Sequence, residues 1–243
     1  MTNQTPEEFF RIFTKQKFLM AKYIEADKLR PYPIDLLIKD DQDFIKKLGS
    51  LFIEELCEFL EEYQNTTFAV VNIMGARQDQ EGLNESYKKI SMELADCLHF
   101  LVEMLIFSEI LPNHNLTSLL IEANPDSDTY HWHDTQLVGK VIGGLTERDS
   151  FRDEVNKIQY GKQLQDQVTI LTMKTILKLE KALNCLKIRD WRQADSNIAK
   201  YNQCMANVLF DFLVLNEVLG INLPKLEQFY NIKNQINLER LAL

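Results

Sequence analysis

Ser91 to Ile106 reads SMELADCLHFLVEMLI, and this stretch decides how the rest of the chain is arranged. Placed at the helical step of about 100° per residue, Leu94, Ala95, Cys97, Leu98, Phe100, Leu101, Val102, Met104, Leu105, Ile106 and Phe107 cover nearly the whole circumference. A helix that is apolar all round is a central one, enclosed by others. Its polar residues are Glu93 and a narrow stripe of Asp96, His99 and Glu103. Glu93 falls between Phe100 and Met104 on the wheel, with no evident route to bulk water. A buried carboxylate without a partner is costly and sooner takes up a proton. These acids are therefore expected to be neutralised, paired or metal-bound. Few basic residues lie near them in sequence and none sits in the stripe, which favours a metal.

A second acidic segment precedes it. Ile53 to Glu62 reads IEELCEFLEE, with Ile53, Leu56, Cys57 and Leu60 on one helical face and Glu54, Glu55, Glu58, Glu61 and Glu62 on the other. Taken alone, this is the pattern of a solvated surface helix. Residues three or four apart share a helix face. Glu55-x-x-Glu58 and Glu93-x-x-Asp96 each offer two carboxylates side by side. If the two helices pack together, four carboxylates converge, and Mg²⁺ is the hard cation that relieves their repulsion while keeping positions for water and phosphate oxygens.

The remaining patterns are also helical. Residues 6–29 form an amphipathic stretch, with Thr5 suited to the cap and Pro6 to the first turn. Pro31 and Pro33 end it. Asp40, Asp41 and Asp43 favour a helix start, followed by a helix from about Phe44 through Tyr63. Val70–Met74 is a short helical candidate, and Gly75–Glu85 reads as a polar loop. Residues 151–188 and about Asp195–Leu219 carry long helical patterns. Gly220 suits a C-cap, and Pro224 begins a last helix through Leu241. No strand alternation of useful length occurs. The expectation is an all-α, multi-helix bundle forming a single domain over residues 1–243, with an irregular insert or lid at 112–150.

Composition narrows the function classes. The chain has 243 residues and a formal net charge of −9, without a basic tract, which disfavours nucleic-acid partners. Glu103 and Glu109 interrupt the best candidate for a membrane span. Cys57, Cys97, Cys185 and Cys204 lie in apolar helical patterns with no CxxC pair, and read as reduced core residues of a cytoplasmic protein. His131, His133 and Asp134 lack further ligands for zinc. Gly139–Gly144 (GKVIGG) lacks the strand and the Gly-Lys-Ser/Thr ending of a phosphate loop. A di-iron bundle needs Glu-x-x-His on two helices, where this chain has only Asp96-x-x-His99. Asp211, on an apolar helix face, reads as a second acid behind a site or as a helix-pairing contact, and His99 as a core histidine. A non-catalytic helical scaffold with an acidic face accounts for Ile53–Glu62 but not for acids inside an apolar helix.

The order EExxE (Glu54, Glu55, Glu58) then ExxD (Glu93, Asp96) resembles the all-α nucleoside triphosphate pyrophosphatases. ELADCLHF (Glu93–Phe100) is most similar to the dimeric, phage-type dUTPase branch. Tyr230–Arg240 (YNIKNQINLER) resembles that branch's YxxKNxxNxxR motif, and the basic turn around Trp191 is similar to one in phage-type members. The patches are spread over residues 44–243. The resemblance implies Mg²⁺-dependent hydrolysis of a deoxynucleoside triphosphate, dUTP first, to the monophosphate and pyrophosphate. It implies Glu55, Glu58, Glu93 and Asp96 as metal ligands, Glu58 or Glu55 as base toward water, and Lys233, Asn234, Asn237 and Arg240 as phosphate-binding residues. It also implies a homodimer. Trp191 and Trp132 are candidates for stacking on the base. No N-terminal stretch aligns with the family's base-reading residues, so dCTP or a purine dNTP remain alternatives.

Overall fold

A computed structural model describes residues 7–74, 80–110, 164–186 and 197–242 of the chain. Among these residues there are six helices and no strand: α1 (Glu7–Glu25), α2 (Lys39–Met74), α3 (Gln80–Phe107), α4 (Leu164–Asn184), α5 (Ile198–Val218) and α6 (Leu223–Ala242). The all-α expectation holds. Trp132, Trp191, the insert at 112–150, and Thr5 and Pro6 lie outside the described residues.

The middle of the molecule is α3. Leu94, Ala95, Cys97, Leu98, Leu101, Val102, Met104, Leu105 and Phe107 are fully buried, as its all-round apolar pattern requires. It packs against α1, α2, α5 and α6. With α2 it forms an antiparallel hairpin. Phe44 of α2 meets Phe107 of α3 edge-on at 4.8 Å, while Glu55 and Asp96 face each other further along. α4 and α5 form a second pair, tied by Lys178 to Asp211 at 2.7 Å. Asp211 is thus a helix-pairing contact. α1 lies on α6 through a bidentate bond from Arg11 to Glu227, both branches 2.7 Å.

Several boundaries differ from those expected. α2 runs unbroken for 36 residues, so the segments read as Phe44–Tyr63 and Val70–Met74 are one helix, begun at Lys39. α3 starts at Gln80, inside the stretch read as loop. Polar composition suggested a loop there, but a helix admits a polar turn once its other turns are packed. The buried line of α2 is Phe52, Leu56, Phe59 and Tyr63, which leaves Cys57 exposed, while Cys185, just past the end of α4, is only half-buried. The reading of all four cysteines as core residues is corrected for these two: Cys57 by the rotation of the α2 face and Cys185 by its place beyond the last turn of α4. No described helix is long and apolar enough by itself to cross a membrane.

The helix ends follow local rules. Asn197 caps α5, its side chain accepting from the Lys200 amide at 2.9 Å, two residues after the start expected at Asp195. At the other end Gly220 has φ +72°. The Gly220 amide donates to Glu217 O and the Ile221 amide to Asn216 O, each at 2.9 Å. This paired closure needs a left-handed residue, which glycine adopts without strain. Asn222 then caps α6 through the Lys225 amide.

Gly49 marks the contact of α2 with α4: a Cβ there would lie 2.7 Å from Leu183 Cδ1. Gly49→Ala is expected to be near neutral, because about 1 kcal/mol of helix propensity offsets the shift of one leucine methyl. Gly49→Leu is expected to cost about 1–3 kcal/mol by overpacking. Urea denaturation of the two variants checks the contrast.

Candidate metal centre

The packing of α2 on α3 brings Glu55, Glu93 and Asp96 together, each offering an oxygen within 4.8 Å of the others. All three are partly buried. At 4.8 Å and an effective dielectric of about 20, each pair of ionised carboxylates repels by about 3.5 kcal/mol. The cluster therefore holds protons more tightly than isolated acids. Burial, then the charges of Asp96, Glu58 and Glu93, push Glu55 up to about 7. Burial raises Glu93 as well, with Asp96, Glu58 and Glu62 adding to it. Burial also raises Asp96, against the pull of Lys233.

Glu58 stands outside this group of three. It is exposed, one turn along α2 from Glu55, yet its charge reaches both Glu55 and Glu93. Glu54 and Glu61 are exposed too, so the solvated-face pattern of Ile53–Glu62 describes most of that segment. Only Glu55 is drawn into the cluster, with half-buried Glu62 at its edge.

The cationic side of the site comes from α6. Lys233 Nζ is hydrogen-bonded to Asp96 Oδ2, and its charge also acts on Glu55 and Glu93. Arg240, exposed two turns on, lowers Asp96 through space. The stripe itself carries no base, as its sequence reads, but Lys233 reaches it from a distant part of the chain. Lys233 is 137 positions from Asp96, a neighbour that only the docking of α6 on α3 supplies. Asn237 is half-buried and Asn234 buried. Asn234 lies next to the Tyr230 hydroxyl, and its Nδ2 ends without a well-formed hydrogen bond.

Behind the acids runs a polar seam that sequence did not reveal. His99 Nδ1 is 2.8 Å from Gln16 Oε1 of α1, and the Tyr230 hydroxyl donates to the same oxygen at 2.5 Å. Gln16 Oε1 can only accept, so Nδ1 carries the proton. The His99 and Tyr230 rings stack at 4.1 Å. Burial lowers His99 to about 3, so it is neutral at physiological pH. It is a core histidine held by its neighbours and does not join the acid cluster, which removes the Asp-x-x-His reading. Glu103, next on the stripe, is pushed up to about 7 by burial alone. Tyr230 of α6 gave a sequence signal through its motif; Gln16 gave none.

The donor set fits a hard divalent cation. It is all oxygen, and one ammonium against three carboxylates leaves two negative charges over. Adjacent oxygens on one octahedral Mg²⁺ lie about 3 Å apart and opposed ones about 4.2 Å, so oxygens within 4.8 Å of one another would draw closer together around a bound ion. No family model, no curated protein and no solved structure matches the chain.

The raised carboxyls give stability a defined pH dependence. Glu55 and Glu103 have folded values of about 7 against 4.5 unfolded. Their stabilising contribution is complete below about 4.5 and is lost as pH rises through about 7, because the unfolded chain releases its protons first. In the presence of a chelator, the Tm of the wild type is expected to fall over this window more steeply than that of Glu55→Gln/Glu103→Gln. Circular-dichroism melts at several pH values measure the difference; parallel slopes would refute it.

Proposed function

We propose that the chain is a Mg²⁺-dependent nucleoside triphosphate pyrophosphohydrolase, with dUTP as the first candidate substrate and monophosphate and pyrophosphate as products. The observation that supports this reading is the three-carboxylate cluster of Glu55, Glu93 and Asp96, made at the packing of α2 on α3 and faced by the cations of α6. It agrees with the motif order that the sequence carries. dCTP or a purine dNTP is the alternative substrate for the same residues.

Each residue then has a chemical task. Glu55, Glu93 and Asp96 hold the ion. Mg²⁺ bound there would screen a triphosphate and join it to an otherwise repelling acidic site. Glu58, outside the ligand group and next to it, is the carboxylate left to orient a water and accept its proton. Lys233 and Arg240 neutralise phosphate oxygens, and Asn237 donates to them. Asn234, buried beside Tyr230 one turn back on the same helix, is the fourth member of this phosphate-binding group, its Nδ2 left without a hydrogen-bond partner.

A helical scaffold using its acidic face makes a different prediction, because it has no need of a divalent ion. Pyrophosphate release from dUTP, dCTP, dATP, dGTP and dTTP, with and without Mg²⁺, separates the two. The expected result is metal-dependent release from one preferred nucleotide, lowered about a hundredfold or more by Glu58→Ala and accompanied by a Mg²⁺-induced rise in Tm that Asp96→Ala abolishes. No release from any of the five, with no shift in Tm, would sink the proposal.

A further inference from the structure

Resting on that reading, we infer that Lys233 competes with the divalent cation for Asp96, so that cation entry hands the ammonium over from the carboxylate to the phosphate side of the site. The inference begins with the pair itself. Lys233 reaches from α6 to Asp96 Oδ2, and Asp96 is one of the three residues whose oxygens converge. The side chains of both partners are about four-fifths buried, at 18% and 19% exposure. This is not a loose surface pair of little consequence, but a contact made where water screens weakly.

Electrostatics then ties the lysine to the whole cluster. Its charge acts on Glu55 and Glu93 as well as on Asp96, the same three groups that suit a cation. Two cations attracted by one set of carboxylates also repel each other. An ion bound there weakens the hold on the ammonium, and the ammonium weakens the hold on the ion. Asp96 has two oxygens, so the exchange needs only that the lysine give up the shared carboxylate by rotating its four-carbon stem. Lysine suits this better than arginine, whose fork would engage the carboxylate by two bonds at once. The ammonium so released faces the region that phosphate oxygens enter in the proposed reaction, beside Arg240 and Asn237 on the same helix.

Such competition has a thermodynamic signature. Removing the lysine's charge should tighten cation binding without nucleotide, while weakening the binding of a phosphate chain once the cation is present. A lysine that only braces α6 against α3 would do neither: its loss would loosen the fold and leave cation affinity unchanged or reduced.

Isothermal titration with Mg²⁺ alone, in the absence of nucleotide, tests this on the wild type, Lys233→Gln and Arg240→Gln. The expected result is about tenfold tighter binding to Lys233→Gln, and little change for Arg240→Gln, whose charge is exposed and screened. Equal or weaker binding by Lys233→Gln, with the wild type binding Mg²⁺, would overturn the inference and leave the proposed function standing. Absence of Mg²⁺ binding in both would remove the proposed function and the inference with it. Should Lys233→Gln not fold, lysine-labelled NMR of the unsubstituted chain reads the same event: the Lys233 side-chain nitrogen resonance is expected to move on addition of Mg²⁺. A resonance that stays fixed while the ion binds overturns the exchange.

Discussion

A helix apolar around its full circumference must be enclosed, and the demands of α3 shape the rest of the molecule. Its faces are taken by α1, α2, α5 and α6. Enclosure of the leucines and valines also draws inward the stripe of Asp96, His99 and Glu103. Each of these polar groups then needs an answer from another helix. Lys233 of α6 answers Asp96, and Gln16 of α1 with Tyr230 of α6 answers His99. Glu103 has no ion-pair partner among the described residues, and burial pushes its carboxyl up to about 7. The polar seam follows from the apolar core.

The same enclosure places unlike chemistry side by side. Toward α2, Asp96 and Glu93 meet Glu55, and an excess of negative charge accumulates. Toward α1 and α6, one turn away, the stripe becomes a neutral hydrogen-bonded network. The acids keep protons or take a cation; the histidine keeps neither charge nor access. The two ends differ in burial and in partners: the more deeply buried His99 is kept neutral by its burial, whereas the less buried Asp96 has an ammonium beside it. A carboxylate cluster beside an ammonium is the arrangement on which the proposed exchange of one positive partner for another rests.

Much of this was legible beforehand. The all-round pattern of Ser91–Ile106 identified the central helix, and the spacing of Glu93 and Asp96 gave one side of the acid cluster. Gly220 marked the end of α5 because only a left-handed residue closes that turn. The details that misled were those where a few degrees of rotation or a distant partner matter. Cys57 sits on the apolar side of an ideal wheel but is exposed, because α2 buries the line through Phe52, Leu56 and Phe59 instead. The continuous α2 joined two segments that composition had separated.

The sequence by itself determined the helical class, the central position of α3 and the pairing of acids along each of two helices, because these depend on periodicity within a segment. Tertiary structure decided which of the acids meet. It left Glu58 at the rim and drew Glu55, Glu93 and Asp96 together, since that choice rests on the height at which α2 and α3 pack. It also brought Lys233 to Asp96 across 137 positions and Gln16 to His99 across 83. No periodicity along a chain encodes such contacts. They arise only when separate helices bury their apolar faces together and leave their polar groups no other neighbours.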